Sequence, residues 1–458
     1  MEVKNVKGTK DILGAEAKNY AKVENIMKNI AELFHFSEIR PPMMEHSEVF
    51  VRGVGEGSDV VRKEMYTFDD KGGRSLTLRP EFTAGIIRTI VQNKLHATQD
   101  LPIKAYYCGP AFRYERPQLG RYRQFIQFGV ELVGGDSLFH DIDVISLGFT
   151  ILKSLGFENL TLKINTLGDD ASREAYKVAL KEYFKDQIES MCPDCKSRYE
   201  LNPLRILDCK VPEDREIVKG APKMSDYLTD EAKARFDKLV NILTVSNIPF
   251  EIDETLVRGL DYYSETVFEF HYISKKNQNY GAIGAGGHYD KLMKEFGGPA
   301  LPGVGFSLGV DRVVAALTDD GLFEEQDEED RLTAYVIPVG DEAKMVGYLT
   351  SMTLRVSGYK SEVCYDSSKI GSMIKKAVKK NAKFAIIIGE NEIENETVLL
   401  KELDSGEQQE VAYQDLIAVL DEAYGAHECH CHCDCDDDCD CEDGECECHC
   451  GHHHGGNN

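Results

Sequence analysis

Residues 111–135 read AFRYERPQLGRYRQFIQFGVELVGG and assemble groups suited to holding a polyanion. Laid out as a β-strand, whose side chains alternate faces, Phe125, Gln127, Gly129 and Glu131 share one side. Ile126, Phe128, Val130 and Leu132 share the other. One face is an apolar core row, and the opposite face projects a flat ring, an amide and a carboxylate. Upstream, Arg113 and Glu115 lie two apart and point the same way on a strand. Between the two strands, a loop over 116–123 carries Arg116, Arg121 and Arg123 with a Gly-Arg turn. Guanidinium forks match phosphate oxygens, so a cationic loop above a polar sheet face suits a polyanionic substrate. A solvated hairpin gives the same alternation, so the reading needs companions elsewhere in the chain.

These groups need a frame. At 458 residues the chain exceeds one ordinary core, and two or three domains are expected. Over 17–34, Tyr20, Val23, Ile26, Ile30 and Leu33 recur at helical spacing, and Ile39-Arg40-Pro41-Pro42 breaks the helix. Residues 170–245 read as mainly helical, with apolar spacing in 171–190 and 231–243. An acidic run from Asp319 to Asp330 marks a linker. Beyond it, strands at 335–339, 362–364 and 384–388 alternate with helices at 342–357, 369–381 and 412–424, the rhythm of an α/β domain with a largely parallel sheet. No apolar run approaches the roughly 20 residues of a membrane span, and the start, MEVKNVKGTKDILG, lacks an apolar signal core. A soluble, cytoplasmic protein without membrane contact is expected.

Phe112-Arg113-Tyr114-Glu115, a loop and then Phe125 resemble motif 2 of the class II aminoacyl-tRNA synthetases. Leu256-Val257-Arg258-Gly259-Leu260-Asp261-Tyr262-Tyr263 and Gly286-Gly287-His288-Tyr289-Asp290 narrow the likeness to the histidyl-tRNA synthetase family. Residues 303–312, GVGFSLGVDR, look like class II motif 3, and 77–83, TLRPEFT, like the amino-acid-binding turn. The helix followed by a proline-ended strand is similar to motif 1, which implies a homodimer. The likeness runs from about Lys7 to Tyr424. It implies an α+β fold: an antiparallel-sheet catalytic domain over 1–325 with a helical insertion at about 170–245, then a smaller α/β anticodon-binding domain over 331–425.

The resemblance implies a histidine–tRNA ligase that makes histidyl-adenylate from histidine and ATP with Mg2+, then charges histidine tRNA. Neither step needs a protein nucleophile; alignment and charge stabilisation suffice. By resemblance, Arg113 grips the ATP phosphates, Glu115 orients it or holds ATP, Phe125 faces the adenine, and Arg312 brackets the ring as a stacking cation. Arg258 is placed at the α-phosphate and is the expected catalytic residue beside Arg113. Glu131 accepts from one imidazole N–H, and Tyr263 or Tyr289 serves the other nitrogen. Glu81, Thr83 and Gln127 are placed at the substrate's α-amino and carboxylate groups. Gln118, Arg121 and Arg123 are placed at the tRNA acceptor stem. His288 stands where the family usually has arginine, which leaves that side chain's family role open. A catalytically silent regulatory paralogue of histidine biosynthesis is the alternative, but such proteins lack the second domain and keep a degraded site.

Net charge is −26, unexpected for an RNA-binding protein; ten acids and no Lys or Arg lie in 426–458, leaving −16 elsewhere. RNA binding then depends on local patches, such as the loop arginines and Lys375, Lys376, Lys379 and Lys380. The first 425 residues hold five cysteines, and the remaining 33 hold nine. Cys192, Cys195 and Cys209 sit at plausible metal spacing, but no fourth ligand is evident, and reduced thiols on a surface turn are the simpler reading. In the tail, Cys429, Cys431, Cys433, Cys435, Cys439, Cys441, Cys446, Cys448 and Cys450 alternate with histidines and acids. Such dense soft ligands favour Zn2+ or another soft transition metal. With so little to bury, this tail is expected to be disordered without metal, and it owes nothing to the family likeness.

Overall fold

A computed structural model describes residues 3–424, except 56, 136, 324–330 and 367–368. The chain forms two compact units, 1–323 and 324–458. In the first, eight strands make one sheet: β1 (Ser37–Glu38), β5 (Ile103–Phe112), β6 (Gln124–Val133), β7 (Leu160–Thr166), β8 (Phe250–Ile252), β9 (Ser264–Ile273), β10 (Asn279–Tyr289) and β11 (Gly303–Gly309). Their order is β1-β5-β6-β11-β10-β9-β7-β8. All pairings are antiparallel except β1 with β5 and β7 with β8 at the two edges. A small sheet of β2 (Met44–His46), β3 (Tyr66–Asp69) and β4 (Ser75–Leu78) lies apart.

The apolar row of β6 behaves as its alternation predicts. Phe128, Val130 and Leu132 are buried with Phe268 and Phe270 of β9 and Val304, Phe306 and Leu308 of β11. The helices Ala15–Leu33, Leu138–Ser154 and Val310–Asp319 add Val23, Ile145 and Val313 to that layer. Leu33, expected in the apolar stripe of its helix, is instead 83% exposed. The opposite sheet face is covered as well. The helix Thr83–Gln92 brings Ile86, Ile87 and Ile90 against Tyr107 and Tyr289. Gln127 and Glu131 are therefore buried side chains rather than a solvated row. The insertion is helical as expected, opening with Asp170–Phe184 and closing with Asp230–Val245. It has its own core around Tyr176, Leu180 and Phe184, which reaches Tyr263 and Val267.

The second unit has the predicted strands β12 (Leu332–Pro338), β13 (Ser361–Val363) and β14 (Ala382–Ile388), in parallel pairing. The expected largely parallel sheet needs correction. β15 (Thr397–Glu402) and β16 (Gln408–Ala412) extend it as an antiparallel hairpin, giving the order β13-β12-β14-β15-β16. The exposed face of β16, with Gln408, Gln409 and Glu410 open to water, removed the apolar signal that a buried strand carries. The Lys375–Lys380 patch is partly neutralised, since Lys376 pairs with Asp366 and Lys380 with Glu362.

Candidate active site

Strand register lays the site out as rows across the sheet. Glu131 of β6 lies opposite Gly305 of β11, which lies opposite Gly287 of β10. Gly305 has to be glycine: a Cβ there would stand 2.1 Å from Glu131 Oε2. Its absence lets the Glu131 carboxylate lie flat on the sheet. Glu131 Oε1 accepts from Thr83 Oγ1 at 2.6 Å, and Oε2 accepts from the Tyr289 hydroxyl at 2.8 Å. Burial, at 2% exposure, pushes the Glu131 carboxyl up to about 8. Thr83 is held in turn because Glu81 caps its helix, accepting from the Thr83 and Ala84 N–H groups at 2.7 and 2.9 Å. A carboxylate at a helix N-terminus satisfies donors that have no partner within the helix and gains from the dipole. Both Glu81 oxygens are thus engaged with the helix, and each keeps a lone pair free.

Around Glu131 the walls are aromatic. Tyr262 meets Tyr289 edge to face at 5.7 Å between centroids, and Tyr263 at 4.5 Å. The Tyr263 hydroxyl lies 3.5 Å from that of Tyr262, at the limit of a hydrogen bond. Burial raises the Tyr263 hydroxyl, so it stays a neutral donor. The Arg258 guanidinium sits 5.8 Å from the Tyr263 ring centre. Arg258 is ion-paired with Glu269 of β9, whose other oxygen contacts His271 Nε2 at 2.8 Å. Burial opposes ionisation of Glu269, but His271 and Arg258 outweigh it and hold the carboxyl low. Glu269 was missed from sequence, although an acid on the face opposite Phe268 and Phe270 was a readable signal.

About 13 Å from Glu131, four residues along β6, Gln127 is 6% exposed, and its Oε1 is buried without a hydrogen-bond partner. Beyond it stands Phe125, with the Arg113 guanidinium 5.5 Å from its ring centre. Arg113 and Glu115 lie just past the end of β5 rather than on it, yet still meet at 3.9 Å. The Arg113 Nε donates to the Pro80 carbonyl at 2.8 Å, which aims the fork. Glu115 also meets Arg121 at 3.5 Å, and the Arg123 guanidinium stacks 3.7 Å over Tyr114. Gln118 and Arg121 exchange backbone hydrogen bonds across a two-residue turn, where Gly120 adopts φ +66°. A Cβ on Gly120 would lie 3.0 Å from Arg312 Cα, so the loop tip rests on Arg312. Arg312 donates to the Ala282 carbonyl, and burial, helped by Arg121, pulls its guanidinium down to about 10.

The structure thus brings Thr83, Glu131, Tyr263, Tyr289 and Arg258 to one end of a sheet face. It brings Arg113, Glu115, Phe125, Arg121 and Arg312 to the other, with Gln127 between. Gln118 and Arg123 stand in the outer loop. His288 belongs elsewhere: it points to the opposite face from Tyr289, 1% exposed, with Nδ1 2.9 Å from Asp141 and Nε2 3.1 Å from Asp290. The nine tail cysteines lie outside the described residues. Cys192, Cys195 and Cys209 do not form a surface turn; Cys195 is fully buried and Cys209 nearly so.

Known proteins resemble the chain over most of its length. Residues 8–313 match the family profile described as "Histidyl-tRNA synthetase", and residues 333–423 match "Anticodon binding domain". The histidine–tRNA ligase of Geobacillus sp. (strain WCH70) is 45% identical over 91% of this chain and 98% of its own length. That of Bacillus licheniformis is 45% identical over 90% of this chain and 97% of its own. The crystal structure of apo S. aureus histidyl-tRNA synthetase superposes with a TM-score of 0.77 at 34% identity, covering 92% of this chain and all of that one.

Proposed function

Because the chain belongs to the histidyl-tRNA synthetase family and is a histidine–tRNA ligase, we propose how its residues divide the reaction between them. The observation that carries the assignment is the shared sheet face, with a buried carboxylate among tyrosines at one end and a guanidinium over an aromatic ring at the other.

Histidine enters the Glu131 end. Glu131 accepts from one imidazole N–H, and the neutral Tyr263 hydroxyl serves the other nitrogen. Tyr289 and Thr83 hold the carboxylate in place. The partnerless Gln127 Oε1 accepts from the α-ammonium group, which directs the substrate carboxylate along the face toward the phosphates. Polar pockets of this kind reject analogues strongly, because unmatched buried groups are costly.

ATP lies at the other end, its adenine on Phe125 and its phosphates under Arg113, with Arg312 bracketing from the far side. Glu115 orients Arg113. Glu115 and Glu269 already face arginines, so Mg2+ would be held mainly by the triphosphate oxygens and would offset their charge. The histidine carboxylate oxygen attacks the α-phosphorus, pyrophosphate leaves, and Arg258 meets the negative charge that grows on the α-phosphate oxygens. Glu269 keeps the Arg258 fork aimed, so little reorganisation is needed as charge develops. The adenylate then passes its histidyl group to the terminal ribose of histidine tRNA, whose acceptor end Gln118, Arg121 and Arg123 contact.

Exposed Leu33, Met43 and Met44, at 83%, 50% and 56%, line the motif 1 element and support a homodimer through it. A cytoplasmic location accords with the described helices, none of which is long and apolar enough to cross a membrane. The Cys/His tail is proposed to hold Zn2+ or another soft metal. The silent-paralogue reading is not favoured, since Arg113, Arg258 and Arg312 all stand and the second unit is present. Histidine-dependent ATP–pyrophosphate exchange, with and without residues 426–458, tests the assignment. Exchange that another amino acid supports equally well would overturn the pocket as drawn.

A further inference from the structure

One cluster outside the sheet has no part in the ligase chemistry. Cys192, Cys195, Cys209 and Asp214 place three sulfurs and a carboxylate oxygen within 4.8 Å of one another. They come from separate turns of the insertion. Cys192 caps the helix Pro193–Leu201, and Cys195 lies in its first turn. Cys209 ends the short helix Pro203–Asp208, and Asp214 opens the helix Pro212–Val218. Asp214 is the fourth candidate donor, which spacing along the sequence could not reveal.

Two observations distinguish this cluster from ordinary buried thiols. The Cys192 and Cys209 sulfurs are 3.9 Å apart; ligands about 2.3 Å from a tetrahedral zinc ion stand about 3.8 Å from each other. The Asp214 carboxylate is 2% exposed yet has no ion pair with Lys, Arg or His among the described residues. It accepts from the Cys192 N–H at 3.1 Å and from the thiols of Cys209, at 3.2 Å, and Cys195. A buried charge without a countercharge is expensive. Buried cysteines alone need no explanation, but this carboxylate does.

We propose that Cys192, Cys195, Cys209 and Asp214 bind one zinc ion as a closed structural site in the helical insertion. Zinc would turn the buried thiols, which burial now keeps protonated at Cys195 and Cys209, into thiolates and release their protons. The site would brace more than itself. The helix it anchors donates from Arg198 to Asp59 at 2.8 Å and pairs Asp194 with Lys63 at 2.6 Å. Just beyond it, Asn202 bonds to Asp261 at 2.9 Å, and Arg205 reaches the Gly57 and Gly259 carbonyls at 2.6 and 3.3 Å. Gly259 and Asp261 directly follow Arg258 on its loop, so the metal would hold that loop from behind.

The test is anaerobic zinc loading of the full chain, competition with EDTA, and two measurements. Retained zinc is compared between wild type, Asp214→Asn and Cys195→Ser, so that the tail contributes equally to each. Iodoacetamide labelling of the partly exposed Cys192 is followed by peptide mass in wild type with and without zinc. The expected result is one zinc fewer per chain in both variants and labelling of Cys192 slowed at least about tenfold by zinc. Equal zinc in the variants overturns the site. So does a Cys192 labelling rate that ignores zinc, and this second result stands whether or not the variants fold. A disulfide between Cys192 and Cys209 in the unreduced protein, seen as a loss of two hydrogens, also overturns it.

Discussion

His288 and Tyr289 are neighbours in the chain but face opposite sides of β10, and their surroundings differ in what is left undone. Behind the sheet, both His288 nitrogens meet carboxylates. Asp141 also accepts from Thr266 at 2.7 Å and pairs with Arg235 at 3.2 Å, and Asp290 accepts from Ser264 at 2.5 Å. In front, Gln127 Oε1 and Arg258 Nε are buried without partners. Native proteins satisfy nearly all buried polar groups. Behind the sheet, Arg235 Nε also lacks a hydrogen-bond partner but keeps the Glu265 carboxylate 3.9 Å away; in front, the open groups face the site, which marks that face as waiting for a ligand. Equal burial therefore carries two different meanings within one strand.

The largest expected effect comes from the front. Arg258→Ala should lower histidine-dependent pyrophosphate exchange by about 10³-fold, the scale of losing a charge-stabilising donor, with the fold retained, since His271 still faces Glu269. Behind the sheet, Asp141→Asn should reverse the pattern. It strands a buried imidazolium, so denaturant unfolding should lose about 3 kcal/mol, while kcat/KM of the folded fraction stays within about twofold. An Asp141 variant that kept its stability and lost exchange would erase the contrast between the faces.

Titration separates the faces as well: both groups lose stability as pH rises, but one by giving up a favourable charge and the other by gaining a costly one. Burial pulls the His288 imidazole down, but Asp141 and then Asp290 overcome it and hold it at about 10, against 6.5 in an unfolded chain. Its contribution is thus complete below about pH 6.5 and is lost as pH rises through 10. Unfolding of His288→Asn should decline less steeply than wild type across that window. Glu131 moves in the same direction for a different reason and in a lower window. Its carboxyl is raised from 4.5 to about 8, so ionising it costs stability that grows with pH through that range. Glu131→Gln should be more stable than wild type at pH 9, with the gap closing toward pH 4.5. Above pH 8, where the carboxyl is ionised, the same variant should lose about 10²-fold in kcat/KM for histidine, the scale of a hydrogen bond to a charged group.

Much of this was legible in the sequence, for reasons that differ by element. The alternation of β6 placed Phe125, Gln127 and Glu131 together because period two is a property of the strand itself. It did not show that their face would be covered, since Ile86 and Ile90, which cover it, lie on a helix far along the chain. Glu269 and Asp141 escaped because their partners, Arg258 and His288, are set by strand order, which local spacing does not encode. Asp214 escaped likewise, though Cys192, Cys195 and Cys209 were noticed. The hairpin of β15 and β16 was lost because its outer strand has little apolar pattern. Tertiary proximity, rather than residue chemistry, was the missing information in each case.

The smallest effect gives the sharpest test of the contrast, because Gln127 is a neutral side chain with no ion pair to lose. If its Oε1 awaits the substrate, Gln127→Leu keeps the volume and removes an unmatched acceptor. Stability should then hold or rise slightly, since desolvating an unpaired amide is a cost that leucine lacks. KM for histidine should rise about tenfold with kcat nearly unchanged, the signature of a contact equally strong in ground and transition states. A His288-like role would give the reverse: a lower unfolding midpoint in urea and an unaltered KM. Gln127 would then belong with the finished side of the sheet despite facing the other way, and open buried groups could no longer be used to find the ligand face.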